Sequence, residues 1–392
     1  MLKDRQIISK IVEKMAPSGI RIFFDLVLGM DDVISLGVGE PDFITPWNIR
    51  ESAIYSIEQG YTSYTSNKGL YKLRLYISRF LKQKYGLVYN PDDQILITVG
   101  VSEGVDLAIR SIINPGEQVI IPQPCYVSYG PVVELASGEP VYIDTTKRGF
   151  KLKPSDIERH CTEKTKAIII NYPCNPTGVT YSAQELKELG QMIIKKNLIL
   201  ISDEIYDDLT YDFVHTPLAT LSKELKERTI YLNGFSKSYA MTGWRIGYAC
   251  GNKEIIAAMT KVHQYTMLCA PIMSQMAACE AIFNGESSVI EMKKEYLRRR
   301  NFVIDKLANL GLECVRPKGA FYVFPSVKNT GLSGMEFAQR LLREKKVAVV
   351  PGSAFGDNFK DFIRISYATN IDELREAFVR IEDFIKTIKK SR

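Results

Sequence analysis

The sequence of 392 residues predicts an α/β fold: a doubly wound, mostly parallel sheet flanked by helices, with a smaller α+β domain beside it. Three observations predict it. Short runs rich in β-branched residues are apolar on both faces, as buried strands of a parallel sheet are. Helix-like segments separate those runs. After about residue 285 the texture changes to long, charged helical patterns broken by short apolar stretches.

The strand-like runs are 94–98, 118–121, 167–170, 198–201 and 229–232. Helical patterns lie between them near 102–113, 126–136 and 182–195. The last opens on Ser182 with Glu185 three places on, the spacing of a capping box. Beyond them come a charged helix over 286–309, the apolar run 320–324, a helix over 333–345, strands near 347–350 and 361–366, and a final helix from 371. The expected division is a large domain over 46–285 and a small one made of 1–45 and 286–392. No internal repeat or low-complexity tract interrupts it.

Composition bounds the function. Lys and Arg number 51 against 45 Asp and Glu, a net charge of +6, and the two signs are interleaved. The cluster Arg298-Arg299-Arg300 reads as a solvated helix face, with no aromatic or Gly-rich module beside it to make a nucleic-acid site. The seven cysteines are an odd number without CxxC or Cys/His spacing, which points away from a disulfide framework or a metal site and towards a reducing, cytoplasmic setting. The polar start Met1-Leu2-Lys3-Asp4-Arg5 has no signal-peptide core, and no run of about 18 uncharged apolar residues predicts a membrane span.

Ligands of open α/β sheets bind beyond the carboxyl ends of the strands, so the residues that follow each strand carry the chemistry. After 198–201 come Ser202, Asp203, Glu204, Ile205 and Tyr206; Asp203 is either a helix N-cap or a carboxylate aimed at a cationic ligand. After 229–232 comes a stretch poor in regular structure, with Ser236, Lys237, Ser238 and, eight places after the lysine, Arg245. A lysine hemmed in by apolar and small residues loses solvation, its pKa falls, and it can act as an imine-forming amine. Ser236 and Arg245 suit a phosphate. After 167–170 the prolines and glycine of 171–178 fix a turn that presents Asn175. After 95–98 the turn at Gly100, Val101 and Ser102 opens a helix whose free N–H groups suit an anion. Four strand ends thus offer a phosphate cradle, an amine, a carboxylate and an amide, the set that pyridoxal 5′-phosphate (PLP) needs.

The same residues resemble a known family. The run from Ser236 to Gly247 looks like the cofactor-lysine motif of class I/II aminotransferases. The runs 37–46 (Gly37-Val38-Gly39-Glu40-Pro41-Asp42-Phe43-Ile44-Thr45-Pro46), 61–65, 175–178, 202–206 and 364–368 match in family order across nearly the whole chain. The resemblance implies the PLP-dependent transferase fold type I, with a seven-stranded sheet, and a homodimer with shared active sites. It implies that Lys237 bonds the cofactor as a Schiff base and shuttles the substrate proton, and that Asp203 pairs with the pyridinium nitrogen. Tyr206 and Asn175 would hydrogen-bond the ring oxygen, and Tyr126 would stack on the ring. Ser236, Arg245 and the backbone of Val101 and Ser102 would form the phosphate cup, which Tyr64 of the neighbouring subunit would reach. Arg364 would clamp the substrate α-carboxylate in place of an ion pair with Asp361 or Asp357, Gly39 would let the backbone approach the substrate, and Ile20 would line the pocket.

Two positions depart from the family pattern. Gly234 stands three places before the lysine, where the family often has a phosphate-binding Ser. Ser102 stands where some aspartate-preferring members carry a lysine, so the sequence is more similar to aromatic-type or broad-specificity members. The expected activity is a ping-pong transamination between an amino acid and a 2-oxo acid such as 2-oxoglutarate. Aromatic amino acids, aspartate, alanine and an acylated diaminopimelate all remain open as donors. The competing readings are a β-eliminating C–S lyase on the same fold and the PLP-sensing domain of a transcription regulator. The latter lacks room here, since the cofactor domain begins within about 45 residues.

Overall fold

The computed structural model of the chain describes residues 7–17, 19 and 30–390. A short first strand, β1 (Ile34–Ser35), precedes the seven strands of the main sheet. These are β2 (Ile95–Thr98), β3 (Gln118–Gln123), β4 (Glu139–Asp144), β5 (Thr165–Asn171), β6 (Ile199–Asp203), β7 (Thr229–Gly234) and β8 (Gly247–Cys250). Their order across the sheet is β2-β8-β7-β6-β5-β3-β4. β8 runs antiparallel to both its neighbours, and the other pairings are parallel.

The strands are apolar on both faces because both faces are covered. Ile169 of β5 and Ile201 of β6 pack with Val105, Ala108 and Ile109 of the helix Gly100–Ile112. Their neighbours Ile168, Ile170 and Leu200 pack on the opposite side with Leu186, Leu189 and Ile193 of the helix Ala183–Lys195. Burial of each large aliphatic side chain contributes about 1.5–3 kcal/mol, and alternation along a strand gives each face its own set. The capping box at Ser182 and Glu185 forms as the sequence predicts.

The remaining strands are short: β9 (Tyr322–Val323), β10 (Val347–Ala348), β11 (Val350–Pro351) and β12 (Ile363–Ser366). β10 pairs with β1, and β11-β12-β9 form an antiparallel sheet. The helices Glu286–Leu310, Gly334–Lys345 and Ile371–Lys390 pack around them in one apolar cluster, which also takes in Tyr206 and Leu209 from the loop after β6.

Two sequence expectations are corrected. The stretch after β7 is not loop alone: β8 begins at Gly247 and lies between β2 and β7 in the sheet. The arginine cluster is not a solvated face. Arg298 is exposed, but Arg299 and Arg300 are 4% and 2% exposed. They occupy the inward stripe Met292, Tyr296, Arg299/Arg300, Val303 and Leu307 of their helix. Arg299 bonds Asp42 and Glu295, each at 2.8 Å, and Arg300 bonds Asp212 at 2.6 Å and lies over the Tyr211 ring. Arg300→Ala removes both that packing and charge-assisted hydrogen bonds, so it should cost about 2–3 kcal/mol of stability. Arg298→Ala should leave the denaturant unfolding midpoint unchanged. Equal midpoints for the two variants would contradict this packing.

Candidate active site

A cavity of about 320 Å³ opens where the carboxyl ends of β5, β6 and β7 meet residues of the smaller sheet. It is of the size that small-molecule sites occupy. Eleven of the thirteen residues singled out in the sequence line it: Gly39, Val101, Ser102, Tyr126, Asn175, Asp203, Tyr206, Ser236, Lys237, Arg245 and Arg364. Tyr64 does not; it is 82% exposed on the surface of this chain. Ile20 lies outside the described residues.

Lys237 follows β7, and its Nζ donates to the Gly39 carbonyl at 2.7 Å. Burial pushes the amine down to about 8; Glu40 opposes that fall, and Arg364 and Arg245 add to it. An amine with that pKa is largely neutral, hence nucleophilic and basic, only slightly above physiological pH. In protein stripped of cofactor, acylation of Lys237 should therefore rise with pH about a midpoint near 8, whereas an ordinary lysine has its midpoint near 10.5. Peptide mass spectrometry after brief labelling reads this, and a plateau only above pH 10 would count against the environment described.

Asp203 ends β6 and is not a helix cap. Tyr129 donates to its Oδ2 at 2.6 Å and the Ile205 N–H to its Oδ1 at 3.2 Å. Burial still pushes its carboxyl up to about 6, against the pull of those two donors. A cationic ring nitrogen is the partner such a carboxylate accommodates.

Arg364, on β12, pairs with neither Asp361 nor Asp357. Its Nη1 donates to Asn175 Oδ1 at 3.0 Å and its Nη2 to the Gly37 carbonyl at 2.6 Å. The guanidinium lies 4.6 Å from the centre of the Tyr322 ring, and its buried Nε has no partner. Among the described residues its hydrogen-bond partners are an amide and a carbonyl rather than a carboxylate, and burial lowers its pKa, so a bound anion would relieve it.

The phosphate-sized end is built from a close approach. Gly100 has φ +74° and opens the helix Gly100–Ile112; a Cβ there would sit 2.8 Å from Arg245 Nη2. Arg245 itself holds φ 50°, a strained value for a residue other than glycine, with Nη1 donating to the Thr242 carbonyl at 3.0 Å. Helix N–H groups, Ser236 and this arginine make a donor set suited to a phosphate dianion. The Gly234 departure has a steric reason: a Cβ there would lie 2.9 Å from the Cα of Gly247, its partner on β8.

The sequence reading gave no role to Tyr129 or Tyr322. The Tyr322 hydroxyl lies 3.0 Å from that of Tyr206 and donates to the Gly39 carbonyl at 3.3 Å. A Cβ on Gly39 would come within 2.8 Å of that hydroxyl. Burial keeps the Tyr206 phenol well above its usual pKa, so it stays a hydrogen-bond donor. The donors, the carboxylate, the amine and the aromatic Tyr126 thus match phosphate, ring nitrogen, aldehyde and ring face of PLP in kind. Among the described residues no cluster of three or more His, Cys, Asp or Glu could hold a metal, and no helix is long and apolar enough to cross a membrane.

Residues 31–381 match the family described as aminotransferase class I and II. The chain is 53% identical over 379 residues to the protein YugH of Bacillus subtilis strain 168, covering 96% of this chain and 98% of that one. It is 45% identical over 377 residues to an aspartate aminotransferase of Pyrococcus abyssi, covering 95% and 97%. The crystal structure of an aromatic aminotransferase from Pyrococcus horikoshii OT3 superposes with a TM-score of 0.89 at 41% identity, over 94% of this chain and 99% of that one.

Proposed function

The chain belongs to the class I and II aminotransferases, and we propose that it carries the amino group of an L-amino acid, preferably aromatic, to a 2-oxo acid such as 2-oxoglutarate in a ping-pong reaction at this cavity. Pyridoxal phosphate, the cofactor of the family, supplies when bound an aldehyde that takes the amino group and a ring that takes up the electron pair left on the substrate Cα. Arg364 binds the α-carboxylate through its forked guanidinium. Lys237 Nζ would take the Cα proton and carry it within the site. Asp203 would face the ring nitrogen of the cofactor, Tyr206 and Asn175 would donate to its ring oxygen, and Tyr126 would cover its ring face. Ser236, Arg245 and the N–H groups at Val101 and Ser102 hold the phosphate.

The observation that carries this reading is the convergence of Lys237, Asp203, Arg245 and Arg364 on one cavity. The preference for aromatic or other neutral donors rests on the same lining. Among its described residues the only cations are those two arginines and Lys237, and each already has a task. Ser102 adds none, so the described lining holds no spare cation for an acidic side chain.

The reading includes a large domain over 46–285, a small domain of 1–45 and 286–392 that closes on substrate, and a homodimer in the cytoplasm. Support for the dimer is an apolar face at Ile44, Trp47, Ile54, Tyr55, Ile57 and Phe283, each at least 47% exposed. Tyr64 of one protomer then serves the phosphate of its partner.

The test is spectroscopic. The purified protein with PLP should show a visible absorption band, and a single amino donor without oxo acid should convert it to the near-ultraviolet band of the aminated cofactor. Rates ranked over phenylalanine, tyrosine, alanine and aspartate give the donor class. No band after incubation with PLP, or pyruvate and ammonia released from cystathionine without conversion, would overturn the assignment.

A further inference from the structure

Behind the cavity, on the far side of the β6 end, lies a buried polar cluster that the reaction does not use. Side chains alternate along a strand, so Asp203 faces the cavity while Ser202 and Glu204 face away. Glu204 is fully buried and does not line the cavity. Its Oε1 accepts from Ser202 Oγ at 2.7 Å and from the Tyr172 hydroxyl at 3.0 Å, and its Oε2 lies 2.7 Å from His215 Nε2. His215 is stacked on the Tyr172 ring, with centroids 5.1 Å apart, and the Tyr85 ring meets the His215 ring edge-on at 6.0 Å.

Tyr172 belongs to the segment that follows β5. Its N–H donates to the Asp203 carbonyl at 3.3 Å, and Asn171 Nδ2 donates to the same carbonyl at 3.0 Å. Asn171 Oδ1 in turn accepts from the Asn175 N–H at 2.9 Å. One carboxylate therefore ties together the two strand ends that carry Asp203 and Asn175. A buried carboxylate is tolerated only when its acceptor sites are filled, and here three donors from three segments fill them. Loss of one partner strands a charge, so the spacing of the segments is held against a steep penalty.

We propose that Glu204, pinned by His215 and Tyr172, is a positioning residue that sets the spacing between Asp203 and Asn175 and so aligns the ring-binding end of the site without touching the cofactor. The inference rests on the reading of the cavity as a PLP site. Glu204 belongs to the ring end only; the phosphate end is built from other segments, at Gly100, Ser236 and Arg245. The charge of Glu204 also bears on Asp203, adding to the upward push of burial on its carboxyl.

That separation of ends makes the test. Glu204→Gln and His215→Phe, the second of which keeps a ring against Tyr172, should each weaken PLP binding about tenfold and lower kcat at unchanged KM for the amino donor. The constant for inorganic phosphate competing with PLP should not move. In an Asp203→Asn background the same substitutions should change PLP affinity less than twofold, because positioning a group that is gone has no value. Should both variants fail to fold, Ser202→Ala, which removes one hydrogen bond to Glu204, is read by the same criteria. Unchanged PLP affinity, a parallel loss of phosphate affinity, or the same factor in the Asp203→Asn background would overturn the proposal. A wild-type protein that takes up phosphate but no PLP would instead overturn the reading of the cavity itself.

Discussion

Lys237→Ala is expected to lower turnover by at least about 10⁴-fold, the upper range for loss of a positioned proton-transfer group, and further because the imine-forming amine goes with it. Two properties of the site make the loss severe. The Nζ is held 2.7 Å from the Gly39 carbonyl, and among the described residues no other lysine lines the cavity to substitute for it. Its environment also brings the amine down to about 8, a value that water and the neighbouring tyrosines do not offer. The phosphate end has no need of Lys237, so the variant should still bind inorganic phosphate with wild-type affinity. Steady-state turnover beside a phosphate-competition measurement separates the two. Near-normal turnover in a folded variant would falsify the assignment of Lys237 as the proton carrier.

Arg364→Leu is expected to reduce kcat/KM for both amino and oxo acid by about a hundredfold to a thousandfold, the cost of leaving a bound charge without its buried partner. The side chain is 2% exposed and fixed by Asn175, Gly37 and the Tyr322 face, so its fork is oriented before substrate arrives. The loss should appear mainly in KM if the carboxylate is held equally in ground and transition states, and in both constants if Arg364 also aligns the Cα proton. Arg364→Lys should recover little, because an ammonium cannot reproduce the planar fork or the stacking. Esters of the preferred donor should be poor substrates of the wild type and no worse for the variant. A variant that kept full kcat/KM for both substrates would remove Arg364 from the site.

The sheet was legible in the sequence wherever strands are aliphatic on both faces, as at Ile168–Ile170 and Leu198–Ile201. β8 was not. Gly247 must be a glycine because a Cβ would lie 2.9 Å from the backbone of Gly100 and Val101, and Ala249 and Cys250 are weak strand markers. The packing that builds the phosphate end therefore erased the strand signal. The buried arginines were legible in principle, since Tyr296, Val303 and Leu307 set a helical stripe that includes them; charge outweighed spacing in the reading. Tyr129 and Tyr322 sit in apolar surroundings that mark core residues, and only the fold shows that their hydroxyls reach Asp203 and Tyr206. The side chain of Tyr64 is exposed and lies outside the described lining of the cavity, so its proposed role follows from the family resemblance alone.

The two displaced pKa values at the site also bear on how much folded enzyme exists. Lys237 titrates near 8 folded against 10.5 unfolded, so between those values only the unfolded chain holds the proton. Stability therefore rises with pH across that window, and below 8 the whole penalty is present. Asp203 titrates near 6 folded against 3.8 unfolded, so stability falls as pH rises from 3.8 to 6, and above 6 its whole penalty is present. At neutral pH the fold carries both. A ligand that answers the carboxylate with a cation and the amine with an aldehyde relieves both together, and only the native chain offers both groups in one site. By mass action the folded fraction then follows the free cofactor concentration. Cofactor supply would in this way govern the lifetime of the protein as well as its activity.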